Sequence, residues 1–366
     1  MKICHLTSVH KPEDIRIFHK ECSSLARAGY EVNIIAVNCG NYFINNIPVY
    51  SVDIKYSGRL KRMITVPKAI LKKSLELNCD IYHFHDPELI PVGLKLKRKG
   101  KKVIYDVHED LPRQTLSKQY LKSWLRPTVA KFIEWYENNK SKKFDYIITS
   151  TPFIRDRFLK INKNTVDVRN YPVLDKSFIY NNWSDKKNAV CYIGGLEEAR
   201  GIKEMMEAFR FVNCGFFIGG LFDNENIKEE IYNMPAWEKV NYYGYVNRNE
   251  ANNIYSDSKI GLVTLHPIIN YIDALPVKMF EYMHAGIPVI ASNIPLWKEI
   301  VEGNNCGVCV NPLQPKEIAE AINYLLTNDE IAEEMGRNGR NAVLNKYNWN
   351  IEEKKLLNMY KYIQTD

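Results

Sequence analysis

The sequence predicts an α/β protein made of two Rossmann-like domains, each a parallel sheet with helices on both faces. Three observations predict it. Short β-branched runs alternate with amphipathic stretches along the whole chain, which is the rhythm of successive βαβ units. That rhythm stops in a segment rich in Pro, Asn, Asp and Lys, residues 170–188, and then restarts. The 366 residues also exceed the roughly 250–300 that one hydrophobic core organises.

Taken in order, KICHLTSV reads as a strand, IFHKECSSLARAG as a helix stopped by Gly29, and YEVNIIAVN as a second strand. DIYHFH, KKVIYDVH and DYIITS are further strands, separated by a helical PVGLKLKRKG and a long helical region through 120–140. After the linker, AVCYIGG, GFFIGG, VNYYGYV and IGLVTL read as strands and GIKEMMEAFRFV as a helix. The final helix, WNIEEKKLLNMYKYIQ, puts Ile351, Leu356, Leu357 and Tyr360 on one packing face, and its composition leaves open which domain it covers. The expected domains are 1–172, with 350–366 a candidate to complete it, and 173–349.

The run DALPVKMFEYMHAGIPVIASN, residues 273–293, concentrates polar groups at a helix entrance. Pro276 suits a first helical turn, where its missing N–H is no loss. Met279, Phe280 and Met283 form an apolar face, while Lys278 and Glu281, three apart, share a face. Gly286 suits a left-handed stop, and PVIAS has the look of a strand covered on both sides. Unpaired N–H groups at such an entrance attract phosphate. The plainer reading is that Asp273 caps the helix and Glu281 is a solvated charge.

Composition narrows the classes. Hydrophobic residues make up 45% and charged residues 25%, ordinary for a globular protein, and no apolar run suits a membrane span. MKICHLTSVH is expected to be a first strand rather than a secretory leader, so the default location is cytoplasmic. The eight Cys are scattered except for Cys306 and Cys309, whose CxxC lacks a second pair and a nearby His, so reduced structural thiols are expected. Charge is uneven: residues 1–170 carry a net +14 and residues 171–366 a net −7. A basic first half suits an anionic partner. KLKRKGKK (95–102) also suits a helix C-terminus, whereas GRLKRMITVPKAILKKS (58–74) reads either as a basic amphipathic helix for a membrane surface or as a solvated face.

Five stretches together resemble glycosyltransferase family 4, the retaining enzymes of the GT-B fold, over nearly the whole chain. DALPVKMFEYMHAGIPVIAS is similar to the family's donor motif of two acidic residues separated by seven. YIGGLEEARGIKEMMEAF resembles its phosphate loop, and YYGYVNRNEANNIYSDSKIGLVTL its nucleobase strand. SVHKPEDIRIFHKECSSLARAGYEV resembles the first strand and helix, and YHFHDPE with YDVHED the loops facing the cleft.

The resemblance implies that Glu281 binds the ribose hydroxyls and Asp273 the transferred sugar, at a position that is more often Glu. It implies that the backbone N–H groups of Ala274 and Leu275 face the diphosphate. Gly194, Gly195, Arg200 and Val246 would line the same donor site. The family commonly places Arg after the first Gly and Lys before the later Gly. Here Gly195 and Arg200 stand there, so one cation is missing and Lys278 is the candidate to assist. Surface and helix-start roles remain the alternatives for Arg200 and Lys278.

His108 matches a cleft histidine near the reacting centre, against a structural reading for a histidine in a strand-end loop. The catalytic set is therefore His108, Asp273 and Arg200. The first loop has no Gly, and with the second strand-end cluster it reads as acceptor-facing through His10, Arg16, His85 and Asp86. Arg16 pairing with Asp14 or Glu13 is the structural alternative. His83, His85, Asp86 and Glu88 could ligate a metal, but no metal and no cofactor is expected.

The expected activity is a retaining transfer of sugar from a nucleotide diphosphate, UDP favoured, to a glycan or lipid-diphosphate-linked acceptor in O-antigen or capsule assembly. Peripheral contact with anionic membrane is expected and nucleic-acid binding is not. The alternatives are a sugar-nucleotide epimerase on the same fold and a non-catalytic nucleotide-sugar-binding subunit.

Overall fold

The computed structural model describes residues 1–118, 121–174, 178 and 180–365. Residues 175–177 and 179 of the expected linker, and residue 120 of the expected long helical region, lie outside the described residues. The chain separates into two compact units: Met1–Asn170 with the last helix, Trp349–Thr365, and Tyr171–Asn348.

The first unit holds an eight-stranded sheet: β1 (Lys2–Leu6), β2 (Glu31–Val37), β3 (Tyr42–Ile44), β4 (Ile47–Val52), β5 (Ile81–Phe84), β6 (Lys102–Val107), β7 (Tyr146–Thr149) and β8 (Thr165–Asp167), in the order β3-β4-β2-β1-β5-β6-β7-β8. All neighbours are parallel except β3 and β4. That hairpin was not expected. Its turn rests on Asn45 and Asn46, both in the left-handed region that tight hairpins need and that Asn tolerates. The strand order reverses between β1 and β5, and in such sheets the crevice beyond the carboxyl ends at the reversal is where ligands bind.

Two apolar layers cover this sheet. The last helix buries Trp349, Leu356, Met359, Tyr360 and Ile363 against one of them, and Trp349 Nε1 donates to Ser24 Oγ at 3.0 Å. Leu356 and Tyr360 therefore pack as their spacing predicts, whereas Ile351 and Leu357 stay half-buried and Met359 and Ile363 take the seam. The first helix begins wide, as a π-helical segment Ile15–Cys22 that continues as α-helix Ser23–Arg27. Asp14 caps it, its carboxylate accepting from the backbone of Arg16 and Ile17.

The second unit holds β9 (Ala189–Ile193), β10 (Gly215–Gly219), β11 (Val240–Gly244), β12 (Ile260–Val263), β13 (Val289–Ser292) and β14 (Gly307–Val310), all parallel, in the order β11-β10-β9-β12-β13-β14. This is the dinucleotide-binding order, with its reversal between β9 and β12. The helix Val277–His284 packs Met279, Phe280 and Met283 into the core as expected. Pro276 is its N-cap rather than a first-turn residue, so the helix starts beyond Ala274 and Leu275. All eight cysteines are free thiols.

Candidate functional site

In the second unit the chain leaves β9 at Gly194, whose φ of +150° suits glycine. A Cβ there would sit 2.5 Å from Lys278 Nζ and 3.4 Å from an Arg200 guanidinium nitrogen. Both cations therefore converge on the glycine loop, one from the following short helical turn and one from the helix Val277–His284. Gly195 lies beside Arg200 as well, and its carbonyl accepts from Tyr192 Oη at 2.9 Å. Arg200 is ion-paired with Glu197.

Lys278 has no such carboxylate. Its Nζ is buried without a hydrogen-bond partner and lies 3.7 Å from the centre of the Tyr192 ring. Burial, and then the Arg200 charge, push its pKa well below the ordinary lysine value. An ammonium held this way is short of negative charge. Lys278, the candidate to assist Arg200, thus lies beside it at the Gly194 loop.

Glu281 is engaged rather than open. Arg248 pairs with one of its oxygens, and Tyr255 Oη donates to the other at 3.0 Å. Neither residue is singled out by the sequence, because both lie on the helix Arg248–Asp257, well before the helix that carries Glu281. Val246 follows β11 and packs close to Gly219, where a Cβ would come within 2.9 Å of it. The expected role of Ala274 needs correction: its N–H is used by the Tyr271 carbonyl at 3.0 Å, and its carbonyl accepts from Trp297 Nε1 at 2.7 Å. It has no free donor for a phosphate. Leu275 packs on the core, outside the helix, and Asp273 lies in the preceding turn.

In the first unit the polar residues gather at the carboxyl ends of β1, β5 and β6. Asp86 accepts from Thr7 Oγ1 at 2.9 Å, from Ser8 N at 2.6 Å and from Ser8 Oγ at 3.2 Å, and it pairs with His10 Nδ1 at 3.0 Å. Burial alone would raise the Asp86 carboxyl, but the His10 and Ser8 contacts outweigh it and hold the pKa well below the carboxylate range. The same hydrogen bond to Asp86 raises His10.

Asp106 is the second centre. Arg16 grips it with Nε at 3.0 Å and Nη2 at 2.8 Å, and His108 Nε2 and His85 Nδ1 lie 2.8 and 3.2 Å from its Oδ2. Against the effect of burial, Arg16 and then His108 keep Asp106 ionised. Burial lowers His85 to about 4. An ionised Asp106 holds the His108 ring through Nε2, which also lies 3.1 Å from His85 Nδ1.

Three acceptor-side expectations are therefore corrected. Arg16 is 4% exposed and spends its guanidinium on Asp106 and on the Val168 carbonyl at 2.8 Å. His85 and Asp86 are buried too, so all three position other groups instead of meeting a ligand. Neither structural partner expected for Arg16 is used by its side chain: Asp14 takes only its backbone N–H, and Glu13 accepts from Tyr42 Oη. His10 and His108 retain exposed surface, and their rings lie 5.0 Å apart. Of the four residues weighed as metal ligands, Asp86 is taken by His10 and Glu88 by Arg62 at 2.9 Å.

Two family models match the chain: "Glycosyltransferase Family 4" over residues 16–169 and "Glycosyl transferases group 1" over residues 175–342. The capsular polysaccharide biosynthesis glycosyltransferase CapM of Staphylococcus aureus is 21% identical over 206 residues, 55% of this chain and 50% of that protein. The chain spans about half the length of the first curated relatives it matches. Among solved structures, sucrose-phosphate synthase from Thermosynechococcus elongatus aligns over 100% of this chain and 99% of its own, with TM-score 0.81 and 17% identity. Anabaena HepE in complex with UDP aligns over 99% and 100%, with TM-score 0.75 and 14% identity. These likenesses show the GT-B fold.

Proposed function

Because the chain belongs to the glycosyltransferases of the GT-B fold, family 4 in its first unit and group 1 in its second, we propose that it transfers a sugar from a nucleoside diphosphate to a hydroxyl acceptor with retention of configuration. The observation that carries this reading is the buried, hydrogen-bond-free ammonium of Lys278 beside Arg200 on the Gly194 loop. A buried polar group without a hydrogen-bond partner costs about 1–3 kcal/mol, and a charged one more. A diphosphate at the end of β9 would offset that cost and accept from both side chains.

The second unit is the donor half. Arg200 and Lys278 take the leaving diphosphate, where a pre-placed donor contributes about 3 kcal/mol to a transition state that develops negative charge. Glu281 takes the ribose hydroxyls once Arg248 yields one oxygen. Asp273 takes hydroxyls of the sugar, and Val246 borders the base. In the first unit the half-exposed His10 and the His108 held by Asp106 are the candidates to meet the acceptor. A retaining transfer of this kind passes the acceptor proton to the leaving phosphate, so these residues position groups and stabilise charge. Binding of a sugar nucleotide without turnover, with acceptor also supplied, would instead point to an idle binding subunit.

The fold likeness to HepE, a protein solved with UDP, is the reason UDP is the nucleotide favoured here. The likeness to CapM supports a surface polysaccharide as the product class. A lipid-linked acceptor at an anionic membrane is supported by the helix Arg59–Leu77, which exposes Ile64 (58%) and Met63 beside Lys61, and by Trp124 (70%) and Trp135 (59%), exposed near Lys122 and Lys131. Among the described residues no helix is long and apolar enough to cross a membrane. The direct test is incubation with UDP-sugars and lipid-extract acceptors. Stereoretentive transfer is expected, and interconversion of sugar nucleotides without transfer would replace this reading with an epimerase.

A further inference from the structure

Beneath the polar loops of the first unit, three side chains from three elements turn buried ligand atoms toward one another. His5 comes from β1, His83 from the adjacent β5 in register with it, and Glu21 from the helix Ile15–Cys22. All three are fully buried, and their ligand atoms, with one from His85, lie within 4.8 Å of one another. His5 Nε2, His83 Nε2 and both Glu21 oxygens have no hydrogen-bond partner. Buried polar atoms left without a hydrogen bond inside a core are costly unless something binds them.

Taken as the Nδ1–H tautomer, with Asp106 Oδ2 at 3.2 Å and His108 Nε2 at 3.1 Å from that nitrogen, His85 accepts at Nε2 from His5 Nδ1 at 2.9 Å. His5 Nε2 is then a bare lone pair. His83 Nδ1 is held by Tyr360 Oη at 2.8 Å, which leaves its Nε2 facing Glu21 at 3.8 Å. Arg16 Nε approaches Glu21 Oε1 at 3.2 Å without satisfying it.

We propose that His5 Nε2, His83 Nε2 and the Glu21 carboxylate bind one divalent transition-metal ion, which ties β1 and β5 to the first helix. Two imidazoles and a carboxylate form a ligand set suited to Zn²⁺, and each histidine has the partner on its other nitrogen that metal-bound histidines usually have. His85 and Tyr360 fill that role. Complete burial makes the ion structural and loaded during folding. The sequence pair His83 and His85 pointed elsewhere because the third ligand lies on a distant helix and His5 on a neighbouring strand. The inference stands apart from the donor reading, which concerns the second unit.

The test is metal content by mass spectrometry of the full chain, produced without a histidine tag in zinc-supplemented medium. About one equivalent of zinc is expected in the wild type, with near-complete loss in His83→Ala and in Glu21→Gln. Co²⁺-loaded wild type, refolded with the ion, is expected to show visible d–d absorption, a readout independent of whether the variants fold. Folded wild type that carries no metal after refolding with Zn²⁺ or Co²⁺ overturns the proposal. So does metal retained undiminished in a folded His83→Ala protein.

Discussion

The Lys278 ammonium lies 3.7 Å from the centre of the Tyr192 ring, buried and without a hydrogen bond. The ring face offers partial compensation, worth about 2 kcal/mol for a desolvated cation, but it is no substitute for an anion. The residue is therefore held ready at some expense to the free protein.

Replacing it separates binding from stability. Lys278→Met should leave the melting temperature of the ligand-free protein unchanged or raised, because an unsatisfied charge is removed. The same change should weaken UDP binding by about 10–100-fold, the worth of a hydrogen bond to a charged group. Differential scanning calorimetry with and without UDP reads both effects.

The depressed pKa of Lys278 has a sign that can be checked. Its folded value lies below the unfolded one, so the unfolded chain binds more protons between the two. Stability of the free protein should therefore rise with pH through that window. A bound diphosphate raises the depressed lysine pKa, so UDP binding should take up a proton at pH values between the free and the bound pKa. Titration calorimetry in two buffers of different ionisation enthalpy measures that uptake, and Lys278→Met should abolish it.

Gly194→Ala should disable the same site from the backbone side. Its φ of +150° disfavours a side chain, and the new methyl would meet Lys278 Nζ at 2.5 Å. A loss of UDP affinity of at least about tenfold is expected by calorimetry, with the secondary structure retained.

In the first unit, the His10–Asp86 pair should be strongest at intermediate pH. Asp86 is depressed, so its contribution is lost as pH falls through its folded pKa. His10 is raised, so its contribution is full below about 6.5 and is lost as pH rises through its folded value. NMR titration should give His10 a pKa above the ordinary histidine value, falling back toward it in Asp86→Asn.

Much of this architecture was legible from the chain. The strand and helix sequence followed from periodicity, because parallel strands covered on both faces leave continuous apolar runs such as VIAS and IGLV. The β3–β4 hairpin escaped because paired asparagines in a left-handed turn carry no hydrophobic signal. The positions Gly194, Arg200, Lys278 and Glu281 were visible as motif residues. That Lys278 reaches Gly194, that Arg248 and Tyr255 hold Glu281, and that Arg16 serves Asp106 depend on tertiary contacts between elements far apart in sequence. Linear spacing encodes none of these. Ala274 misled for a local reason: the helix begins at Val277, and its N–H closes a turn instead.

The central claim is that a nucleoside diphosphate binds at the Gly194 loop between Arg200 and Lys278. Titration calorimetry of UDP, GDP and ADP into wild type, Lys278→Met and Glu281→Ala tests it most directly. UDP is expected to bind the wild type, to bind Lys278→Met about 10–100-fold more weakly, and not to bind a folded Glu281→Ala protein. Undiminished UDP affinity in a folded Lys278→Met protein would contradict it.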